Sequence, residues 1–322
     1  MKNSKVEISV IITTYNREKN LFDLINCISK QVSVSKNKIE IIICDSNSKK
    51  KLSVMNYLKH FNSIKIVYYN CKINHQAFKR NVGIKNSLGK YKIFVDDDCF
   101  PKYDFLYNFS KILHLNRKKI IYFGLVNYIK FKENKNLIKY RQSRVYSSPN
   151  GCNVPYKNFL TMNMAYNSES VIRKDIFFNN KFRNYGFEDF EFAYRTQKNY
   201  YKLIQYKALV YHKDNRDYDN FLRKYTFLGR FGIEDIIKIN LEASQNLIYY
   251  KLEKNFFIKI VLKFPFIFNF FNLIEKLITF FEKKLFYFSF LYEIGITIAY
   301  FKGVLLRSAT NIDYTQKNNW YK

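Results

Sequence analysis

Gly89-Lys-Tyr-Lys-Ile-Phe-Val-Asp-Asp-Asp98 decides the reading of this chain. A β-branched and aromatic run after a glycine reads as a buried strand. Here it ends in three adjacent carboxylates, which repel one another and raise each other's pKa unless a cation neutralises them. Asp96 and Asp98 are two apart, so on extended backbone they point to the same side. A hard divalent ion held by oxygen ligands is the natural partner. The alternative is an acidic turn in which Asp98 caps the next helix.

Working outward, Val6–Ile12, Ile39–Cys44 and Ile64–Tyr69 read as further strands. Asn16 is expected to cap a helix with Leu21, Leu24, Ile25 and Ile28 on one face. The polar turn Ser46–Lys51 leads to an amphipathic segment through Phe61, and His75–Ser87 reads as a helix closed by the Gly89 turn. This alternation predicts a mostly parallel sheet with helices on both faces. Ligands of such sheets sit at the carboxyl ends of the strands, where Thr13, Asp45 and Asp96 converge. Downstream, Pro101 is expected to open a helix through about Leu115, followed by a strand at Ile120–Tyr128. The polar stretch 132–148 reads as a loop or a short helix. Thr161–Tyr166 reads as a strand, Ser168 as the cap of a short helix to about Asp175, and Glu188–Lys198 as a helix. Tyr201–Ile204 and Ala208–Tyr211 read as two short strands.

Two further features bear polar chemistry. Tyr185-Gly-Phe-Glu188-Asp189-Phe-Glu191 combines a glycine turn, paired acids and a helix start, although acids there also complement a helix dipole. His212 ends the last short strand.

Composition limits the function classes. The chain has 322 residues, 55 Lys+Arg against 26 Asp+Glu, a net charge of +29, and 48% hydrophobic residues, so a disordered chain is excluded. Five cysteines without a Cys-x-x-Cys pair point to a reduced, cytoplasmic protein with no structural zinc. Neither a secretory leader nor an 18-residue apolar run is expected. The lysine excess, together with abundant Asn, Ile, Phe and Tyr, is what an AT-rich coding sequence yields for any function. The functional readings are an anionic membrane surface, nucleic acid or a phosphate-bearing substrate. After about residue 216 Leu, Ile and Phe dominate, interrupted by Lys. Residues 247–307 read as two or more amphipathic helices broken at Pro265, with Lys283, Lys284, Lys302 and Arg307 as basic flanks. Either they lie half-buried on a membrane surface or they pack as an ordinary subdomain. The division expected is 1–215 as a catalytic domain and 216–322 as a helical, membrane-associated region.

Five pieces, in order, resemble family 2 glycosyltransferases with the GT-A fold: Ser9-Val-Ile-Ile-Thr-Thr-Tyr-Asn-Arg17, Ile42-Ile-Cys-Asp-Ser-Asn-Ser48, Lys79-Arg-Asn-Val-Gly-Ile84, the stretch ending at Asp98, and Thr161-Met-Asn-Met-Ala165 continuing through Glu188-Asp189 to His212. The resemblance implies a Rossmann-like α/β domain and a role for each residue. Thr13 and Tyr15 would lie against the nucleotide base, Asp45 would accept a hydrogen bond from it and favour uridine, and Arg80 would approach the base or the diphosphate. Asp96 and Asp97 would sit near the ribose or sugar. Asp98, with Asp96, would hold Mn²⁺ or Mg²⁺, and His212 matches a metal histidine of the chondroitin-type and polypeptide-transferase branch. Asp189 matches the catalytic base of inverting members, Glu188 would hold a donor or acceptor hydroxyl, and Asn163 would line the acceptor side. The Gln/Arg-x-x-Arg-Trp signature of processive synthases is missing, since the single tryptophan is Trp320.

The resemblance thus implies a metal-dependent inverting transferase. It would move a sugar from a nucleotide-sugar donor, expected to be a UDP-sugar, to a hydroxyl of a glycan or lipid-linked acceptor. The setting implied is capsule or lipopolysaccharide synthesis at the inner face of a bacterial membrane. Two other classes stand beside it: a noncatalytic scaffold of the same fold, and a basic nucleic-acid-binding protein. The latter lacks an aromatic RNA-binding sheet, zinc spacing or a helix-turn-helix cue, so no nucleic-acid partner is expected.

Overall fold

The computed structural model describes residues 6–47, 51–59, 61, 63–131, 134–148, 151–284 and 287–307. Eight strands form one sheet: β1 (Ile8–Thr14), β2 (Ile39–Asp45), β3 (Lys65–Asn70), β4 (Tyr91–Asp96), β5 (Cys99–Pro101), β6 (Ile120–Tyr128), β7 (Asn163–Asn167) and β8 (Lys202–His212). Their order is β3-β2-β1-β4-β7-β6-β8-β5. The first four are parallel, and every residue of β1 and β2 is buried, as expected of strands covered on both faces. β7 runs antiparallel to β4 and β6, while β6 and β8 are parallel.

Six helices accompany this sheet: α1 (Glu18–Ser29), α2 (Lys51–Leu58), α3 (Gln76–Asn86), α4 (Phe105–Leu113), α5 (Lys135–Ser143) and α6 (Glu188–Lys198). Strand residues alternate between faces. Val10, Ile12, Ile41, Ile43, Ile93 and Val95 therefore meet Leu21, Leu24, Ile25 and Ile28 of α1 on one side. Ile11, Ile42 and Phe94 meet Ala77 and Ile84 of α3 and Phe192 of α6 on the other.

Several local expectations are corrected. Asn16 is not the cap of α1; it takes a left-handed φ of 56°, and Arg17 follows as the cap residue. His75 caps α3, its Nδ1 accepting from the Ala77 N–H at 3.2 Å. Pro101 opens no helix. It ends β5, an edge strand antiparallel to the end of β8, where its missing N–H costs no ladder bond. Ser168 caps no helix; only a 3₁₀ turn, Arg173–Ile176, follows. The two short strands at 201–211 are the single β8, because pairing with β6 carries its polar middle, Phe123 opposite Gln205. The stretch 132–148 contains α5. Residues 48–50 of the expected polar turn, and Trp320, lie outside the described residues.

The remaining helices are α7 (Tyr218–Phe227), α8 (Ile233–Ile239), α9 (Leu241–Gln245), α10 (Ile248–Lys254), α11 (Phe256–Val261), α12 (Ile267–Lys284) and α13 (Ser289–Leu305), with a π-turn at Leu228–Gly232. α13 is a core element: Tyr292, Ile296 and Ala299 pack on Tyr218, Phe221 and Leu222 of α7. Gly303 permits this approach, since a Cβ there would lie 2.0 Å from the Thr226 carbonyl oxygen. Pro265 falls between α11 and α12. These two helices, the turn between them and the start of α13 leave large apolar side chains in solvent: Phe256 is 69% exposed, Phe257 76%, Phe266 64%, Leu273 55% and Phe290 57%. Exposed Lys254, Lys259, Lys263 and Lys276 surround them. Among the described residues no helix is long and apolar enough to cross a membrane.

Candidate active site

The carboxyl ends of β1, β2 and β4 meet in register, Thr13 opposite Asp96 and Thr14 opposite Asp45. The three aspartates then diverge. Asp96, at the end of β4, faces Arg80 at 3.4 Å. Asp97 turns towards β1 and accepts from the Thr14 hydroxyl at 2.7 Å and from Arg17 at 2.9 Å. Burial, only partly offset by Arg17, pushes Asp97 up to about 6. Asp98 shares Arg17 with Asp97 through one oxygen and meets His212 through the other, because β5 folds back on β8 and sets Cys99 opposite His212.

The result is a carboxylate beside an imidazole. Asp98 Oδ1 lies 3.2 Å from His212 Nε2, with both side chains largely buried. Burial opposes the Asp98 charge, but His212 and Arg17 outweigh it and hold the carboxyl well below the usual range. Arg17 Nη1 reaches Asp98 Oδ2 at 2.7 Å. One donor atom from each of Asp98, Cys99 and His212 lies within 4.8 Å of the others. His212 Nδ1 is buried without a hydrogen-bond partner among the described residues. A carboxylate and an imidazole, with a thiol close by, fit a divalent cation of the Mn²⁺ type. Asp96, expected as a metal ligand, is outside this cluster, and Cys99 is an addition to it.

The nucleotide-side residues gather at the same edge. Thr13 Oγ1 is buried without a partner among the described residues. Tyr15 is half-buried in the turn after β1. Asp45 accepts from the Tyr68 hydroxyl at 2.7 Å and from the Asn47 N–H at 2.9 Å, and burial raises its pKa. Lys79 was not anticipated. It is fully buried, donates to the Thr14 carbonyl and to Asn74 Oδ1 at 3.1 Å each, and burial pushes it down to about 8.

Arg80 joins the two acidic motifs. Its buried guanidinium lies 2.6 Å from Asp189 Oδ1, 3.7 Å from Glu188 Oε1 and 3.4 Å from Asp96 Oδ1. Gly186 and Phe187 bring the acids there with successive φ values of 106° and 65°. A Cβ on Gly186 would also strike Leu228, so glycine is required twice over. Asp235 anchors the preceding loop by accepting from the backbone N–H groups of Arg183 and Asn184. Glu188 is buried, with Oε2 unpartnered among the described residues. Burial and the adjacent Asp189 charge push it up to about 7. Asp189 is more open, its side chain 38% exposed. Asn163 is enclosed in the sheet, its amide donating to the Leu125 and Ala208 carbonyls at 3.0 Å each.

Two cavities of about 230 Å³ each open here, one at these acids and one next to it. The first is lined by Glu188, Asp189, Tyr185, Phe187, Tyr156 and Phe190. The second is lined by Arg141, Arg144, Tyr128, Tyr146, Phe221 and Tyr225. Lys157, Leu160 and Lys224 line both. A cavity of about 920 Å³ opens elsewhere, around Lys38, Lys85, Lys92 and Arg173, at the amino ends of the parallel strands.

Residues 9–180 match the family model for glycosyl transferase family 2. Escherichia coli chondroitin synthase is 24% identical over 243 residues, 64% of this chain and 34% of that protein. An uncharacterised glycosyltransferase of Rickettsia conorii is 38% identical over 97 residues, 30% of this chain and 15% of that protein. The chain thus spans about a third or less of the curated relatives it matches. Residues 1–349 of Staphylococcus aureus TarS, solved with UDP-GlcNAc, superimpose with a TM-score of 0.52 at 14% identity, over 96% of this chain and 93% of that one. GalNAc-T7 with UDP, GalNAc and Mn²⁺ also gives 0.52, at 16% identity over 77% of this chain and 52% of that one. With the matched family model covering the first two strand ends, the aspartates and β7, and with GT-A neighbours sharing the sheet, the chain belongs to glycosyltransferase family 2.

Proposed function

We propose that this family member is an inverting, divalent-metal-dependent transferase. It would move a hexosyl or N-acetylhexosaminyl group from a UDP-sugar to a hydroxyl of a glycan or lipid-linked acceptor in bacterial surface-polysaccharide synthesis. The observation that carries the reading is the meeting of Asp98 with His212, next to the Asp96 that Arg80 ties to Asp189. UDP and UDP-GlcNAc in neighbouring structures support the donor class. Thr13, Tyr15 and Asp45 would take the base, with Asp96 and Asp97 near the ribose and sugar.

Asp98 and His212, with Asp96 close by, would hold Mn²⁺ or Mg²⁺, which when bound would neutralise the charge that develops on the leaving diphosphate. Arg80 holds Asp189 through Oδ1 and leaves its other oxygen to the acceptor. In the transfer the acceptor oxygen bonds to the anomeric carbon while the bond from that carbon to the diphosphate oxygen breaks. The hydroxyl proton passes to Asp189, which acts as general base. Glu188, pushed up to about 7, carries a proton over part of the neutral range and holds a sugar hydroxyl. Asn163 acts on the acceptor side only through the sheet it braces.

Residues 1–215 would form the catalytic unit and 216–322 the attachment, with the phenylalanine-rich face of α11 and α12 lying on an anionic membrane surface. The test is a screen of UDP-, GDP- and CMP-sugars with Mn²⁺ or Mg²⁺. Metal-dependent release of UDP from a UDP-sugar is expected. A folded protein that binds and turns over none of them overturns the reading.

A further inference from the structure

The cavity at Glu188 and Asp189 and the one next to it share Lys157, Leu160 and Lys224 in their linings. Their charges differ. The first contains both acids. Among the described residues the second is lined by Arg141, Arg144, Lys157 and Lys224 and by no carboxylate.

Two of these four cations are already matched, Arg141 by Asp214 and Arg144 by Glu293. Lys157 and Lys224 form no ion pair among the described residues. Lys224 lies over the rings of Tyr185, at 5.4 Å, and Tyr225, at 6.0 Å. Lys157 lies over Tyr156 at 6.0 Å. Burial pushes Lys224 down to about 8, partly offset by Tyr225 and Glu188 and reinforced by Arg216 and Arg141, so its charge is held against a cost. An anion at the junction relieves that cost, because charge-assisted bonds replace ring faces as its partners. The flanking tyrosines and phenylalanines offer flat surfaces with polar rims, suited to sugar rings on either side.

We propose that the two cavities are successive subsites of one acceptor groove. Lys157 and Lys224 at their junction bind an anionic group, a carboxylate or a phosphate, on the unit next to the one whose hydroxyl is glycosylated. This rests on the transferase reading and adds the acceptor's chemical class to it. The attacked unit occupies the cavity at Asp189, and the charged unit extends towards Arg141 and Arg144.

The test compares three acceptors of similar size with the UDP-sugar that the wild-type chain hydrolyses. They are a neutral hexose disaccharide, the same disaccharide with a hexuronic acid in the penultimate position, and a hexosyl glycerol phosphate. At least one charged acceptor is expected to exceed the neutral one in kcat/KM by about tenfold, the equivalent of one charge-assisted bond. Which of the two wins separates carboxylate from phosphate. High salt should erode the advantage. Lys224→Gln and Lys157→Gln should each lose most of it through KM, and Lys224→Arg should retain it. Should Lys224→Gln not fold, the exposed Lys157→Gln decides. Equal use of neutral and charged acceptors, or an undiminished preference in a folded Lys→Gln variant, overturns the subsite. Donor hydrolysis that no charged acceptor accelerates overturns it as well, while leaving the transferase reading intact. No donor turnover at all overturns both.

Discussion

His212 Nε2 stands 3.2 Å from Asp98 Oδ1 although 113 positions separate them in the chain, because β5 pairs Cys99 with His212 across the edge of the sheet. If the pair holds the metal, His212→Gln should raise the Mn²⁺ concentration needed for half-maximal turnover by about 10–100-fold. Asp98→Asn should abolish metal-dependent turnover. A metal titration of UDP release measures both, and unchanged titrations would remove the pair from the site.

Arg80 faces Asp96, Glu188 and Asp189 from a buried position. Arg80→Ala leaves these carboxylates without their cation and should cost about 3–5 kcal/mol in urea unfolding. Arg80→Lys restores the charge but not the planar fork, so stability should recover more than kcat does. A loss near zero for the alanine variant would mean that the acids need no clamp.

Asp189→Asn keeps an acceptor oxygen for Arg80 and removes the base. Turnover should fall by about 10²–10⁴-fold, with the thermal midpoint near that of the wild type. Full activity in this variant would assign the proton to another group.

Glu188 gives a pH signature. Its folded pKa is pushed up to about 7 from an ordinary 4.5, so between those values the folded state binds more protons than the unfolded state. Stability therefore declines as pH rises through this window and stays low above it. Glu188→Gln should match the wild type near pH 5 and exceed it near pH 8 by up to about 3 kcal/mol. Paired urea titrations at the two pH values check this; a constant difference between the proteins would contradict it.

The exposed phenylalanines make a membrane prediction. The wild-type chain should float with vesicles containing phosphatidylglycerol, less at high salt, because part of the attraction is electrostatic. Serine at Phe256, Phe257, Phe266 and Phe270 together should leave it unfloated and folded. Cutting the chain at residue 247 is a poorer test, since α13 supplies Tyr292, Ile296 and Ala299 to the core against α7. Equal flotation of wild type and variant would place the attachment elsewhere.

The parallel half of the sheet was legible because β1, β2 and β4 are buried on both faces and read as continuous apolar runs. The acids at their ends were legible for the same reason, since a strand end fixes where a side chain emerges. Legibility failed where a distant partner decides. Cys99–Pro101 is a strand only because β8 lies beside it, and the polar middle of β8 is a strand only because β6 does. Asp98, Asp189 and His212 were named as a group by resemblance alone, and nothing local shows that Arg17 bridges Asp97 and Asp98 or that Arg80 spans both acidic motifs. Lys79 and Arg80 also invert the usual pattern of a helix. Their charged side chains point inward, towards a cleft whose acids come from other elements, so periodicity alone reads them as surface.

Gly303 has a consequence for orientation. With no side chain between α13 and the Thr226 carbonyl, α13 lies directly on α7, and the pair packs on Leu137 and Tyr140 of α5, so these helices cannot swing without unpacking that core. If a bilayer receives the α11–α12 face as proposed, it would therefore fix the height and tilt of the Asp189 cleft above the lipid. Under the proposed function, reach would then become a selection rule of its own: an anchored acceptor would be glycosylated only if its hydroxyl stood at that distance from the membrane.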